Sequence, residues 1–309
     1  MKRFVYVIVA LIVILGLVGF LLPSQKLTST TANVTTPFDG VSRVIVNKQY
    51  WKNWWPGTIS NDSTLVFENT ELHLDMLLLN GFKAKTLNNN IPAFLELQGI
   101  ATYNAETALT FNITSYFSQN PFIRLYQYLL HRSEQKKYEQ LFKLLSLSFS
   151  NVKRVYGFDI QMGKVPNAYY VSVKTYLDHY PTTEEVYANI NEVTNFIRSK
   201  NSKVMNEPIY NVFKEGENKY LLMVAVASDR EIPTQGKFLQ KNMMLGNIVV
   251  AGVQGGYDAI NKCKEAVQFY VSDFRKVSPA IAFERLITNR LQEKDSSKWI
   301  TTINYPVFQ

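Results

Sequence analysis

The chain is poor in the residues from which disulfides, metal sites and many catalytic sites are built. Its 309 residues include one cysteine, Cys263, and three histidines, His73, His131 and His179. A single cysteine excludes an internal disulfide, and no two histidines stand at the spacing of metal ligands. The sequence therefore predicts no metal site and no cofactor. We interpret Cys263 as a small core residue, with a reactive thiol as the alternative.

Motifs for nucleotide binding, acyl transfer and DNA recognition are also absent. There is no Gly-x-Ser-x-Gly nucleophile elbow, no phosphate-binding loop and no Gly-x-Gly-x-x-Gly fingerprint. No helix-turn-helix pattern occurs in the N-terminal half. The formal charge of +8 comes from scattered lysines and arginines, and attraction to anionic lipid explains it as well as nucleic acid would. We therefore assign no catalytic residue and expect no nucleic-acid partner.

One long apolar run begins the chain, from Phe4 to Leu22. At 1.5 Å per residue it extends about 28 Å, close to the thickness of a bilayer's hydrocarbon core. A cleaved signal peptide is the alternative, but the run exceeds the usual signal core of about 7–15 residues and no small-x-small site directly follows it. Residues 1–23 are thus predicted to anchor a single-pass cell-membrane protein. Lys2 and Arg3 favour a cytoplasmic N-terminus, with the bulk of the chain outside the cytoplasmic membrane.

The residues after the anchor have the pattern of an α+β domain. Residues 24–36 are rich in Ser, Thr and Asn and predict a short tether or a first strand, and residues 37–56 predict one or two short helices. A long helix is predicted over 121–150, because apolar residues recur there at helical spacing. These residues are Phe122, Leu125, Tyr126, Leu129 and Leu130. The predicted strands are Thr70–Leu79, Gly81–Leu87, Phe94–Thr102 and Thr107–Phe117.

A weak internal duplication marks the C-terminal half. Its first copy consists of a strand, a helix and two strands, and the same order returns roughly eighty residues later. Two such units can place both helices on one antiparallel sheet and leave a cleft between the copies, where a small ligand would bind. The predicted strands are Tyr169–Thr175, Pro208–Phe213 and Tyr220–Val226, then Asn247–Val253, Ala280–Ile287 and Trp299–Val307.

The first part of the chain carries Trp51-Lys-Asn-Trp-Trp-Pro after a short predicted helix, and the membrane helix before it ends in Phe20-Leu-Leu-Pro. On these residues the segment 24–152 resembles the START-like (SRPBCC) superfamily of polyketide cyclase/dehydrase type. The resemblance implies a helix-grip domain, in which a sheet wraps a long C-terminal helix around an apolar cavity. We interpret Trp51, Trp54 and Trp55 as core packing, with ligand contact as the alternative.

Several motifs of the second part together resemble another family. They are Phe158-Asp-Ile-Gln, Asp229-Arg-Glu-Ile-Pro, the segment Gly246–Tyr257, Phe283-Glu-Arg-Leu and the segment Lys298–Val307. On these residues the segment 153–309 resembles the GyrI-like small-molecule-binding domain, which is related to the effector-binding domains of multidrug-responsive transcription activators. The family's duplication agrees with the repeat in this chain. The predicted fold class is therefore α+β, with a transmembrane helix, a helix-grip domain and a duplicated strand-helix-strand-strand domain.

The GyrI-like resemblance implies a cleft lined by aromatic side chains around one buried acid. Glu284 stands where the family has its acidic pocket residue, and Tyr169, Tyr170, Tyr210 and Phe213 are candidate wall residues. A buried carboxylate among apolar side chains would prefer a cationic ligand that also has apolar surface. The alternatives are a surface ion pair for Glu284 and core packing for each aromatic residue.

Three functions are compatible with these observations. The preferred one is a membrane-anchored protein that binds or senses an amphipathic or cationic small molecule, with that ligand and membrane lipid as its partners. The first alternative is a hydrolase in which Glu284 is the general base, but the sequence offers no second catalytic partner for it. The second alternative is a ligand-free membrane adaptor with a protein partner.

Overall fold

The computed structural model describes residues 2–61, 63–87, 90–278 and 280–308. Within these ranges the chain forms seven α-helices and fifteen β-strands, which are arranged in two antiparallel sheets. The predicted α+β class is therefore confirmed. The chain divides into two compact units, residues 1–155 and residues 156–309. The helices are α1 (Lys2–Leu21), α2 (Phe38–Val46), α3 (Trp51–Trp54), α4 (Pro121–Phe149), α5 (Val152–Tyr156), α6 (Thr183–Ser199) and α7 (Tyr257–Asp273).

A seven-stranded sheet forms most of the first unit, in the order β1-β7-β6-β5-β4-β3-β2. The four predicted strands are confirmed as β4 to β7. The residues after α1 form a strand rather than a tether, because β1 pairs with β7 along ten residues. The short strands β2 and β3 were not predicted. The strands are β1 (Gln25–Val34), β2 (Thr58–Asn61), β3 (Thr64–Phe67), β4 (Thr70–Leu78), β5 (Gly81–Leu87), β6 (Ala93–Ala101) and β7 (Thr107–Tyr116).

The long helix α4 packs against this sheet and helps to form the core. Asn120 caps its start by accepting hydrogen bonds from two backbone N–H groups, and a proline occupies its first turn. Further along, Phe142 stacks on Phe111 of β7, with ring centroids 5.6 Å apart. Near the end of α4, Phe149 lies 5.0 Å from Trp54. Trp51, Trp54 and Trp55 are all buried, which confirms their interpretation as core residues.

An eight-stranded sheet forms the second unit, in the order β12-β9-β11-β10-β14-β15-β13-β8. The predicted duplication is confirmed: β9-α6-β10-β11 occupies one half of the sheet and β13-α7-β14-β15 the other. The copies meet where β10 pairs with β14, through Ile209 opposite Arg285 and Tyr210 opposite Glu284. The strands are β8 (Ile160–Lys164), β9 (Tyr169–Leu177), β10 (Ile209–Gly216), β11 (Lys219–Ala227), β12 (Leu239–Asn242), β13 (Asn247–Gln254), β14 (Phe283–Leu286) and β15 (Ile300–Val307).

Cys263 lies on α7 and is fully buried. Burial raises the pKa of its thiol to about 12, so the thiolate, which is the reactive form, is not populated at neutral pH. We expect no reaction of the folded protein with the thiol reagent DTNB, whereas the denatured chain should release one equivalent of thionitrobenzoate. Rapid reaction under native conditions would contradict the core assignment.

Candidate functional site

Glu284 lies in the middle of β14 and is 3% exposed. Because side chains alternate along a strand, Glu284 and Leu286 point to one face of the sheet and Phe283 points to the other. Leu286 packs in the core formed with α6, so Glu284 lies on the face that the helices cover. A carboxylate buried this deeply requires partners, since an isolated buried charge is strongly unfavourable.

Three side chains supply those partners. Tyr210 Oη donates a hydrogen bond to Glu284 Oε2 across 2.8 Å. Lys264 Nζ, from α7, lies 2.5 Å from Oε1, and Arg290 Nη2 lies 3.4 Å from Oε2. The Lys264 side chain reaches the solvent and is 41% exposed, whereas Arg290 is buried. One carboxylate therefore faces two cationic side chains.

Arg290 comes from the connection between β14 and β15 and lies among aromatic rings. Its guanidinium carbon is 4.7 Å from the ring centroid of Trp299, 5.6 Å from Tyr257 and 5.8 Å from Tyr210. Cations bind favourably to such ring faces within about 6 Å. We refer to Glu284, Tyr210, Tyr257 and Trp299 as the cage. The cage thus holds one organic cation, the guanidinium of Arg290.

The contacts that hold Arg290 in the cage are incomplete. Nη2 donates to Thr301 Oγ1 at 2.9 Å and Nη1 to Tyr210 Oη at 3.3 Å. The Nε–H group is buried and has no hydrogen-bond partner among the described residues. An unsatisfied buried donor costs about 1–3 kcal/mol. The backbone N–H of Arg290 donates to Tyr187 Oη on α6, so the loop that carries Arg290 is also held to a helix.

A second group of rings extends the cage outward. Tyr180 meets Tyr220 and Tyr257 edge to face, at centroid distances of 5.9 and 6.3 Å. Burial, together with the nearby Glu284 carboxylate, raises the pKa of Tyr180 to about 12. The same two causes raise the pKa of Tyr210 well above its ordinary value. Both phenols therefore stay protonated at neutral pH, and Tyr210 remains a hydrogen-bond donor to Glu284.

The structure brings two of the five predicted ligand-binding residues together and separates the other three. Glu284 and Tyr210 face each other across the junction of the two copies. Tyr169 begins β9, which is two strands away from β10. Tyr170 is buried on the face of the sheet opposite the cage, in a cluster with Phe283. Phe213 is 56% exposed and, three residues after Tyr210, points to the opposite face.

Tyr170 lines a groove of about 400 Å³ on that opposite face. This volume lies within the range of small-molecule pockets. Met223 and Ala225 form part of its apolar wall. Among the described residues that line the groove are Lys174 and Lys241 but no carboxylate. The groove therefore lacks the charge that would attract a cation, whereas the cage combines aromatic faces with an acid.

No protein-family model and no curated protein matches the chain. Among solved structures, the C-terminal domain of EcmrR aligns with 14% identity over 49% of this chain and 98% of its own length, with a TM-score of 0.42. SAV2435 bound to tetraphenylphosphonium aligns with 16% identity over 48% of this chain and 94% of its own, with a TM-score of 0.35. A hydrolase from Listeria innocua aligns with 12% identity over 48% and 92%, with a TM-score of 0.38. Each alignment covers about half of this chain and more than nine-tenths of the solved structure.

Proposed function

We propose that this chain is a membrane-anchored sensor of amphipathic cations, which bind in the cage by exchange with Arg290. The observation that carries the proposal is the position of the Arg290 guanidinium, which lies over three aromatic rings and beside the buried Glu284. A site that accommodates one flat organic cation has the chemistry to accommodate another. The proposal retains the GyrI-like character of the second unit and the START-like character of the first, as their sequence motifs suggest.

The balance of charge supports exchange rather than simple addition. With Arg290 and Lys264 already beside Glu284, a further cation would be repelled. If the ligand replaces Arg290, the number of positive charges at the carboxylate stays the same. The Nε–H of Arg290 has no hydrogen-bond partner among the described residues, and its Nη2 lies 3.4 Å from Glu284 Oε2, which is long for an ion pair. Both features favour displacement of Arg290. Because Arg290 is part of the β14–β15 loop, its release would move that loop. This movement would signal that the ligand is bound.

The N-terminal helix supports the location of the sensor. Among the described residues, α1 is long and apolar enough to span a membrane, with 20 residues. Amphipathic cations accumulate at bilayers, where their apolar parts are buried and their charge stays at the surface. An anchored protein would therefore meet these molecules at a raised local concentration.

The hydrolase alternative receives less support from the same geometry. Both Glu284 oxygens already contact donors, namely Lys264 on one side and Tyr210 and Arg290 on the other. A general base must lie within hydrogen-bond reach of the proton that it removes. Water would have to displace one of these donors before it reached the carboxylate.

The proposal can be tested with phenylguanidinium, which combines the charged group of Arg290 with an apolar ring, and with phenylurea, its neutral analogue. Binding is measured by isothermal titration calorimetry on the full chain in detergent. We expect Arg290→Ala to bind phenylguanidinium about tenfold or more tightly than the unmodified protein, because no internal cation competes. Phenylurea should bind far more weakly to the same variant. The larger cation tetraphenylphosphonium should bind the unmodified protein and raise its melting temperature with concentration.

Two further variants separate the cage from the groove. Glu284→Gln, added to Arg290→Ala, should abolish the preference for phenylguanidinium over phenylurea, since the carboxylate provides that preference. Ala225→Trp fills the groove on the other face and should leave cation binding unchanged. The proposal is wrong if folded Arg290→Ala does not bind the cation, or if Ala225→Trp removes binding that Glu284→Gln retains.

A further inference from the structure

The first three turns of α4 reverse the usual distribution of polar and apolar side chains. Phe122, Ile123, Tyr126 and Leu129 are exposed, with Leu129 at 75%. The side chains that these turns bury include Arg124, Gln127 and His131. Soluble helices place their apolar stripe against the core and their charged residues in water. An exposed apolar stripe over a polar interior is the arrangement expected of a helix whose surroundings are lipid.

The reversal ends at a defined point along the same helix. From Arg132 to Lys143 the exposed residues are polar, including Lys136 and Gln140, and the exposed Leu147 is an apolar exception near the end of the helix. In this later part the buried residues are large and apolar, among them Leu141 and Phe142. One continuous helix thus changes from a lipid-like to a water-like surface between residues 129 and 132. This change is what a helix would show where it passes from a bilayer into water.

The apolar stripe is continuous with α1, against which the start of α4 packs closely. A Cβ atom at Gly19 would lie 2.0 Å from the carbonyl oxygen of Pro121, so only glycine permits this approach. A Cβ atom at Gly16 would lie 3.3 Å from the ring of Phe122. Small residues at such positions are typical of helix contacts in membranes. The contact also favours an α1 that stays attached to the folded chain over one that is removed.

This contact fixes how deep α4 would lie in a bilayer. The ring of Phe122 is level with Gly16, which is five residues before the end of α1 at Leu21, and the backbone of Pro121 is level with Gly19. At 1.5 Å per residue this places the Phe122 ring about 7–8 Å inside the end of the span. Interfacial amphipathic helices bury their apolar faces to a similar depth, about 5–10 Å. Further along α4, Tyr128 Oη donates a hydrogen bond to the carbonyl oxygen of Pro23, which follows the end of α1. The helix α4 would therefore rise out of the bilayer beside the end of α1.

Arg124 is a buried charge on the side of α4 that faces away from the proposed lipid, and its hydrogen bonds explain how it can lie near the membrane interface. Its Nη1 donates to Leu22 O at 2.8 Å and to Phe20 O at 3.4 Å, and its Nε donates to Ser118 O at 2.8 Å. The guanidinium therefore satisfies carbonyl groups at the C-terminal end of α1, where a helix carries partial negative charge. The charge lies at the level of the interface and needs no lipid contact.

We propose that residues 121–130 of α4 form a second membrane element, inserted into one leaflet beside α1 with the Phe122–Leu129 stripe facing phospholipid. The proposal rests on the membrane anchorage included in the proposed function. It adds that the first unit is seated in the bilayer through two helices rather than connected to it by one.

The test uses the full chain in phosphatidylcholine nanodiscs with a cysteine-attached NBD fluorophore at one position at a time. Leu11→Cys lies mid-way along α1, Phe122→Cys lies at the deep end of the stripe, and Gln140→Cys lies on the polar part of α4. The unmodified protein is the labelling blank, because Cys263 is buried. Each label is exposed to doxyl-labelled lipid as a membrane quencher and to iodide as an aqueous quencher.

We expect the labels at Leu11 and Phe122 to lose most of their emission to doxyl lipid and little to iodide, with the reverse at Gln140. If the Phe122 label is quenched by iodide as strongly as the Gln140 label, the stripe faces water and the inference is wrong. If neither quencher affects the Phe122 label, a protein surface covers the stripe, which also contradicts the inference. Failure of doxyl lipid to quench the Leu11 label would instead refute the membrane anchorage. Cation binding in the cage would be unaffected by the first two outcomes.

Discussion

Glu284→Ala should destabilise the second unit by about 3–5 kcal/mol, because it leaves Arg290 buried without its anion. Arg290 has little access to water, and its remaining hydrogen bonds go to a hydroxyl group and a phenol. Those neutral acceptors do not compensate a full positive charge. The change is measured by urea unfolding of the full chain in detergent, with hydrogen exchange of β14 and β15 to locate it. An effect below about 1 kcal/mol would mean that Arg290 escapes to solvent at little cost.

Two matched variants identify the cause of this loss. Glu284→Leu combined with Arg290→Met removes both charges and retains apolar volume, so it should recover most of the stability lost in Glu284→Ala. Lys264→Ala removes the partly exposed cation and should change stability by only about 0–1 kcal/mol. If the double variant were as unstable as Glu284→Ala, packing rather than the unpaired charge would be responsible.

Trp54→Ala should destabilise the first unit by about 3–5 kcal/mol, the range measured when large aromatic residues are removed from protein cores. The indole ring is 1% exposed and lies between Phe149 of α4, at 5.0 Å, and Phe82 of β5, at 6.4 Å. Its Nε1–H donates a hydrogen bond to Val44 O at 2.9 Å, so Trp54→Ala also leaves this buried carbonyl without its indole donor. Urea unfolding, followed through hydrogen exchange of α4 and β5, measures the loss.

The matched control for this deletion is Tyr103→Ala, which removes another aromatic ring from a fully exposed position in the same unit. We expect a change within about 0.5 kcal/mol for that variant. Trp54→Phe should retain part of the packing and lie between the two. If Trp54→Ala left the stability unchanged, the core assignment would be wrong, and ligand contact would be the remaining role of Trp54.

Hydrophobic patterning predicts the elements of this fold better than the faces that they expose. Phe122, Tyr126 and Leu129 recur at helical spacing, and the helix is present as predicted. The same spacing does not distinguish a stripe that faces a core from one that faces lipid, because both are apolar. The Ser- and Thr-rich strand β1 illustrates the reverse case, since its sequence is compatible with a loop until β7 provides a pairing partner.

Of the predicted ligand-binding residues, Glu284 and Tyr210 lie in contact with each other, and their role in binding stays a prediction; Arg290 was not predicted. Glu284 and Tyr210 lie on regular strands, and the repeat places those strands side by side. Strand alternation also explains why adjacent candidates differ, since Tyr169 and Tyr170 necessarily point to opposite faces. Arg290 lies in an irregular loop, where no periodicity indicates the direction of a side chain. Its place in the cage depends on tertiary contacts with Trp299 and Tyr187, which the sequence alone does not specify.

The short connection between α1 and β1 restricts how the first unit can move. Only Leu22, Pro23 and Ser24 separate the helix from the strand, a reach of at most about 10 Å. If α1 and α4 lie in a bilayer as proposed, this unit would be unable to tumble and would diffuse laterally with a fixed tilt. Its search for other molecules would then be two-dimensional, and each encounter would present the same side of the sheet. A soluble partner would have to come to the lipid surface, whereas a partner in the same membrane would meet it already aligned.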